Sequence, residues 1–231
     1  MFDISPAEWT AILLSLRVAV VATLVATPFG IALAWLLARR EFWGKSILDA
    51  AVHLPLVLPP VFTGYLLLLT FGRRGLVGAW LADHLGIVFA FRWTGAALAC
   101  GIMSFPLLVR PIRLSIEAID RRLEQASSTL GAAPWQVFAT VTLPLALPGV
   151  LAGMVLGFAK AIGEFGATIT FVSNIPGETQ TISSAIYSLI QTPDGDTAAL
   201  RLVLVSIFIA TAALIASELF ARRATQRLHG N

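Results

Sequence analysis

The chain has little charge and almost no cysteine. Only 13% of its 231 residues are Asp, Glu, Lys or Arg, about half of the ~25% typical of a soluble domain, whereas 57% are hydrophobic. The one cysteine, Cys100, cannot form an intrachain disulfide, which excludes a disulfide-stapled framework. A Walker-type phosphate loop, paired intramembrane aspartates and a Gly-x-Ser-x-Gly elbow are also missing. The sequence therefore predicts a membrane protein that is not an enzyme and holds no metal or cofactor of its own.

Long apolar stretches predict membrane-spanning helices. A helix needs about 20 apolar residues to cross the ~30 Å hydrocarbon layer of a bilayer. Five stretches approach or exceed this length, at residues 9–38, 50–71, 92–110, 145–172 and 197–220. We therefore expect an all-α, polytopic bundle that forms one transmembrane domain over residues 1–231. A shorter helical run at 181–191 adds an outer helix, which can be counted as a sixth span.

The distribution of Lys and Arg predicts the orientation, because cytoplasmic loops carry an excess of these residues. With an external N-terminus, the cytoplasmic side receives ten of the 16: Arg39, Arg40, Lys45, Arg110, Arg113, Arg121, Arg122, Arg222, Arg223 and Arg227. The external side receives only four: Arg73, Arg74, Arg92 and Arg201. We therefore expect a cytoplasmic C-terminus and a cytoplasmic segment at 117–144. Topology then explains the pI of 9.6, and no nucleic-acid partner is expected.

Prolines interrupt the second apolar stretch. Pro55, Pro59 and Pro60 lie within six residues of one another, and each removes a backbone donor and bends or breaks a helix. A membrane protein tolerates such bends where neighbouring groups or a cavity satisfy the freed carbonyls. We therefore expect this span to be bent and to lie beside a central pathway.

Glu164 places a carboxylate inside the fourth apolar stretch. A charge at the bilayer centre costs about 2.5–3.5 kcal/mol or more, so it usually marks a pathway or a fixed partner. Two interpretations stay open: Glu164 belongs to a pathway or gate, or it forms a static pair with Lys160 four residues earlier. The candidate pathway or gate residues are Glu164, Phe165, Gly166, Thr168, Thr170, Pro59 and Ser104.

A stripe of small residues precedes Glu164. Gly149, Gly153 and Gly157 recur at four-residue intervals and therefore share one helix face. Small residues at this spacing allow two helix backbones to approach closely. We predict a packing seam against another helix, of the same subunit or of a second one.

The polar segment at 117–144 has helix signals of its own. Gly131 suits a left-handed helix cap, and Pro134 suits the first turn of a following helix. Trp135 and Phe138 are bulky side chains of the kind that fill a pocket on a partner protein. Helix connections usually have about 2–8 residues, so this longer segment predicts a compact cytoplasmic docking element.

The same segment carries a resemblance to a known family. Gln125-Ala126-Ser127, followed by Gly131 and ending at Leu143-Pro144, resembles the EAA loop of permease subunits of type I ATP-binding-cassette importers. The family pattern begins Glu-Ala-Ala, whereas this chain has Gln125 first, with Glu124 just before it, and Ser127 third. Four further runs are similar to the molybdate importers of this family: HLPLVLPP (53–60), MSFPLLVRPIRLSIE (103–117), GEFGATITFVSNIPGETQTI (163–182) and IQTP (190–193).

The resemblance implies a homodimeric permease of the bacterial inner membrane that transports molybdate. Its implied partners are two cytoplasmic ATPase subunits, which hydrolyse the ATP, and a periplasmic molybdate-binding protein. The implied ATPase-coupling residues are Glu124, Gln125, Ala126, Ser127, Gly131, Trp135, Phe138, Leu143 and Pro144. A permease for sulfate, thiosulfate or tungstate stays open as an alternative. A passive channel or a secondary transporter is a further alternative, and neither would need a docking element.

Overall fold

The computed structural model describes residues 4–229, which form an all-helical chain. Side chains 217, 218 and 220–229 are outside the description, so the predicted cytoplasmic charges Arg222, Arg223 and Arg227 fall outside it as well. In chain order the elements are α1 (Pro6–Arg39), α2 (Lys45–Val57), α3 (Pro60–Phe71), α4 (Leu76–Leu85), α5 (Trp93–Glu117), α6 (Arg121–Thr129), α7 (Pro134–Val137), a π turn (Phe138–Thr142), α8 (Leu143–Ile162), α9 (Gly166–Val172), α10 (Ile182–Leu189) and α11 (Asp196–His229).

Several of these helices are long and apolar enough to cross a membrane. Within the described range, four pass this test: Pro6–Arg39, Trp93–Glu117, Pro134–Ile162 and Asp196–Ala216. Helices α2 and α3 make a fifth span if they are counted as one. The prediction of an all-helical membrane bundle is therefore confirmed.

The predicted second span, 50–71, differs from the expectation of one bent helix. Helices α2 and α3 meet at 114°, which is the geometry of a broken span or a re-entrant loop. A residue before a proline is pushed into extended backbone. Leu58 precedes Pro59 and has ψ 145°, and Pro59 precedes Pro60 and has ψ 132°. Two extended residues in succession end the first helix and redirect the second.

The predicted fourth span, 145–172, also consists of two helices. Helix α8 ends at Ile162, and Gly163, Glu164 and Phe165 separate it from α9. Gly166 begins α9 against α3, because a Cβ built on Gly166 would lie 2.7 Å from Cβ of Pro60. Only a residue without a side chain allows α9 to approach α3 this closely.

The continuous helix that ends with α8 begins earlier than the predicted residue 145. The helical backbone runs from Pro134 to Ile162 without a break at Pro144. A proline cannot donate to the carbonyl four residues before it. The π turn ends two residues before this proline, and the amide of Leu143, which lies between them, donates to the carbonyl of Phe138, five residues back. We attribute the continuity of the helix to this change of hydrogen-bond register.

Helix α5 lies at the centre of the bundle, between α1 and α8. The predicted glycine stripe of α8 faces it. A Cβ on Gly153 would lie 2.5 Å from the carbonyl oxygen of Leu108, and a Cβ on Gly149 would overlap Ser115. The stripe therefore packs against a helix of the same chain.

Two short helices cover one end of the bundle. Helix α10 corresponds to the predicted outer helix 181–191, and its Ile182 amide donates to Ser15 Oγ of α1 at 2.7 Å. Glu8 and Arg201 form an ion pair of 2.9 Å at this end. Helix α4 lies between the predicted second and third spans.

Candidate functional site

The docking segment, residues 120–142, is built from local signals. Asp120 caps α6 by accepting a hydrogen bond of 2.9 Å from the amide of Arg122. Gly131 then reverses the chain with φ +88°, a conformation that most residues other than glycine, asparagine and aspartate adopt only with strain. Pro134 occupies the first turn of α7. The segment is therefore a helix-turn-helix element, as Gly131 and Pro134 predicted.

The docking segment exposes three large apolar side chains, of which Leu123, at 51%, is the least exposed. Leu130 is 89% exposed and Trp135 is 70% exposed. Helix α6 buries none of its side chains, and Gln125 and Ala126 are exposed while Ser127 is half-buried. Sequence reasoning selected Trp135 and missed Leu130. A large apolar residue directly before a capping glycine, in an otherwise polar helix, was the available signal.

Phe138, predicted as an anchor for a partner protein, contacts another helix of its own chain. It is half-buried and packs edge-to-face against Trp35 of α1, with ring centroids 6.1 Å apart. Leu143 is half-buried as well, and Pro144 is exposed. Phe138 therefore holds the docking segment against its own helical bundle.

Glu124 joins α6 to two other elements. Its carboxylate pairs with Arg39 of α1 at 3.0 Å and accepts a hydrogen bond of 2.6 Å from Thr142 of the π turn. Arg39 also donates to the carbonyl of Ile119, 3.3 Å away. We call Arg39, Glu124 and Thr142 the anchor cluster. Arg39 entered the sequence prediction only as a cytoplasmic charge, and Thr142 did not enter it, because partners that are distant in sequence leave no local pattern.

Glu164 is buried and fully paired. It is 1% exposed, its Oε2 lies 2.7 Å from Lys160 Nζ, and its Oε1 accepts from the amide of Ala167 at 3.0 Å. One carboxylate thus bridges the last turn of α8 and the first turn of α9. The geometry is that of the static pair with Lys160, placed at a break between two helices.

The other predicted pathway residues are dispersed. Pro59 is exposed at the break between α2 and α3, whereas Ser104 is fully buried between α5 and α8, 4.0 Å from the Cβ position of Gly157. Phe165 stacks obliquely on Tyr187, with centroids 5.0 Å apart. Ser104 therefore does not face an open surface of this chain.

Hydroxyl groups lie along the contact between α3 and α9. Thr168 Oγ donates to the carbonyl of Phe165 at 2.9 Å, and Thr170 Oγ donates to that of Gly166 at 2.8 Å. Thr63 of α3 is buried, and its hydroxyl oxygen has no hydrogen-bond partner among the described residues. Sequence reasoning did not select Thr63, which follows the two prolines in the run PPVFT.

A cavity of about 690 Å³ lies between α1, α2 and α5. Its described lining is apolar, includes Phe29, Pro55 and Phe105, and contains no charged side chain. An apolar wall cannot replace the hydration of a dianion, so this cavity does not suit an oxyanion.

Comparison with known proteins decides the family. A family model described as "Binding-protein-dependent transport system inner membrane component" matches residues 26–226. The chain belongs to this family. As a binding-protein-dependent permease, it is a multi-pass protein of the inner membrane.

Two relatives share most of its length. The "Molybdenum transport system permease protein ModB" of Escherichia coli (strain K12) is 60% identical over 220 residues, 95% of this chain and 96% of that protein. The protein of the same name from Haemophilus influenzae is 56% identical over 221 residues, 96% of each chain.

A solved structure supports the fold of this permease. The bacterial ATP-binding-cassette transporter involved in the import of alginate contains a chain that matches with a TM-score of 0.73 at 20% identity. The match covers 95% of this chain and 80% of that chain. The two chains therefore share one helical fold.

Proposed function

We propose that this chain is the membrane-spanning permease of an ATP-driven molybdate importer. Two copies form the translocation pathway, separate ATPase subunits supply the energy, and a periplasmic molybdate-binding protein delivers the anion. The observation that carries the proposal is the 60% identity, over 95% of the chain, to a molybdenum transport permease.

The docking segment is the proposed contact with the ATPase. Leu130 and Trp135 are large, apolar and exposed, which is typical of residues that anchor a protein interface. The segment contains Arg121 and Arg122 and lies against Arg39, and the grouping of Arg residues at this end of the molecule favours a cytoplasmic location. The N-terminus is then periplasmic, and so are Glu8, Arg201 and α10.

Movement between α8 and α9 is the proposed basis of gating. Transporters of this type open by rocking rigid bodies around a central site. The backbone at Gly163 to Phe165 is not helical, and Glu164 holds the ends of both helices through Lys160 and the Ala167 amide. A buried carboxylate repels a dianion, so Glu164 acts as a hinge residue while hydroxyls and backbone amides meet the substrate.

Reconstitution tests the proposal. The permease is placed in proteoliposomes with its ATPase and with a molybdate-binding protein, and uptake of labelled molybdate is measured with and without ATP. We expect uptake that requires ATP and the binding protein and that an equal concentration of sulfate does not abolish. Uptake without ATP would instead indicate a channel or a secondary transporter. Stronger competition by sulfate or tungstate than by unlabelled molybdate would assign a different oxyanion.

The docking segment is tested by a pair of double variants. Leu130→Ala with Trp135→Ala removes the two most exposed apolar side chains of the segment. Loss of such interface residues costs at least about 2 kcal/mol, or roughly thirtyfold in affinity for the ATPase. The control is Thr129→Ala with Thr140→Ala, since these exposed hydroxyls donate only to carbonyls of their own segment, at 2.8 and 2.7 Å. Equal copurification of the ATPase with both double variants would contradict the docking role.

A further inference from the structure

The anchor cluster connects three elements that are separate in the chain. Arg39 ends α1, Glu124 lies in the first turn of α6, and Thr142 ends the π turn that leads into α8. Backbone joins the docking segment to α5 on one side and to α8 on the other. Helix α1 has no such backbone link, so side chains alone tie its end to the docking segment.

The contacts of the anchor cluster are short and largely shielded from water. The Arg39 and Glu124 side chains are 9% and 18% exposed, and Thr142 is 1% exposed. Salt screens a partly buried pair much less than a surface pair. Hydrogen bonds to charged groups are stronger than bonds between neutral groups. Glu124 receives two of them, one from each neighbouring element.

An aromatic contact joins the same end of α1 to the docking segment, and we call this contact and the anchor cluster together the junction. Trp35, one turn before Arg39, packs edge-to-face on Phe138 of the π turn, and the guanidinium of Arg40 lies 5.7 Å from the centre of the Trp35 ring. The exposed side chains Leu130 and Trp135 are not part of this junction. The docking segment therefore presents one surface to solvent and another to its own bundle.

We propose that Arg39, Glu124 and Thr142 are positioning residues that transmit movement of the docking segment to α1 and α8. This inference rests on the proposed function, because it assigns a role within ATP-driven transport. An ATPase that pulls on Leu130 and Trp135 displaces α6, and the anchor cluster makes α1 follow. Without the anchor cluster, the docking segment would still bind the ATPase, but α1 would not follow its movement.

The test uses the complete transporter in proteoliposomes and measures labelled molybdate taken up per ATP hydrolysed. Glu124→Gln removes the charge, and Thr142→Val removes the hydroxyl at nearly constant volume. We expect both variants to copurify with the ATPase at the wild-type level. Uptake per ATP is expected to fall about two- to thirtyfold, the range of couplings of 0.5–2 kcal/mol. Thr142→Ser, which keeps the hydroxyl, is expected to restore the wild-type ratio.

The control variant is Glu41→Gln. Glu41 forms an ion pair of 2.6 Å with Lys45 near the same end of the bundle, but its side chain is 86% exposed and the pair lies outside the anchor cluster. We expect its ratio of uptake to hydrolysis to match the wild type. A double variant, Arg39→Gln with Glu124→Gln, is expected to lose less than the sum of the losses of its two single variants, because each single variant already breaks the shared ion pair.

The possible outcomes separate the two proposals. An unchanged uptake-to-hydrolysis ratio in Glu124→Gln and Thr142→Val overturns the positioning role, and this includes the case in which hydrolysis and uptake fall equally. A loss of assembly in Thr142→Val overturns it as well. Additive losses in the double variant overturn the connection between Arg39 and Glu124. Failure of the wild-type complex to take up molybdate with ATP contradicts the proposed function itself.

Discussion

Replacing Gly153 by alanine tests how closely α8 packs on α5. The added Cβ would lie 2.5 Å from the carbonyl oxygen of Leu108 and 3.3 Å from Cγ1 of Ile112. A backbone carbonyl cannot rotate away as a flexible side chain does, so the two helices must separate. Overpacking of this kind costs about 1–3 kcal/mol. Gly153→Ala is therefore expected to destabilise the permease.

Gly157→Ala is the matched control one helical turn later. Its added Cβ would approach nothing closer than 3.7 Å, which is ordinary van der Waals contact. Alanine is about 1 kcal/mol more favourable than glycine within a helix, so this variant is expected to be neutral or stabilising. The two variants make the same chemical change on the same helix face, and only the distance to α5 differs.

Thermal unfolding of the purified permease in detergent compares the two variants. A loss of 1–3 kcal/mol lowers the midpoint by about 2–4 °C per kcal/mol in a chain of this size. We expect Gly153→Ala to unfold several degrees below Gly157→Ala and to yield less assembled transporter. Equal midpoints would show that α5 and α8 are not in close contact at Gly153, and the reasoning would fail.

Two further substitutions test the docking segment and the hinge. Gly131→Asp is expected to uncouple ATP hydrolysis from uptake more strongly than Gly131→Asn. Both side chains tolerate positive φ, but aspartate adds a charge beside Leu130. Equal uptake per ATP in the two variants would refute this. Glu164→Ala is expected to lower the yield of monodisperse permease more than Glu164→Gln, since the glutamine oxygen can still accept from the Ala167 amide at the start of α9. Yields that do not differ in size-exclusion chromatography would argue against a capping role.

Local signals in the sequence predicted the local features well. Gly131 does adopt a left-handed conformation, Pro134 does begin a helix, and the apolar stretches do form helices long enough to span a membrane. Each of these depends on backbone sterics or on hydropathy over a short window. Such properties belong to the residues themselves and need no knowledge of distant neighbours.

Prolines and glycines indicated where helices break, but not the angle or the direction. Pro59 and Pro60 predicted a bend, and the angle of 114° follows from two successive extended residues together with the packing of α3 on α9. The glycine stripe predicted a close contact with α8. Helix α5 is the partner, and only the tertiary structure showed that it belongs to the same chain.

Within the docking segment, the sequence indicated which side chains matter, and only the tertiary structure showed what each of them contacts. Trp135 and Phe138 look alike in the sequence, yet Trp135 is 70% exposed and Phe138 packs on Trp35, about one hundred positions earlier. Glu124 resembled part of a family motif, and its contacts with Arg39 and Thr142 appear only in the folded chain.

The sequence by itself determined the class of protein, because the scarcity of charge requires lipid around the chain and the polar segment with its Gly131 turn requires a place outside the bilayer. It also determined the family, through similarity along most of its length. Only the tertiary structure decided which polar groups meet one another. Glu164 is paired with Lys160 at a helix break, and Glu124 ties the docking segment to α1, because contacts between distant residues depend on how the helices pack.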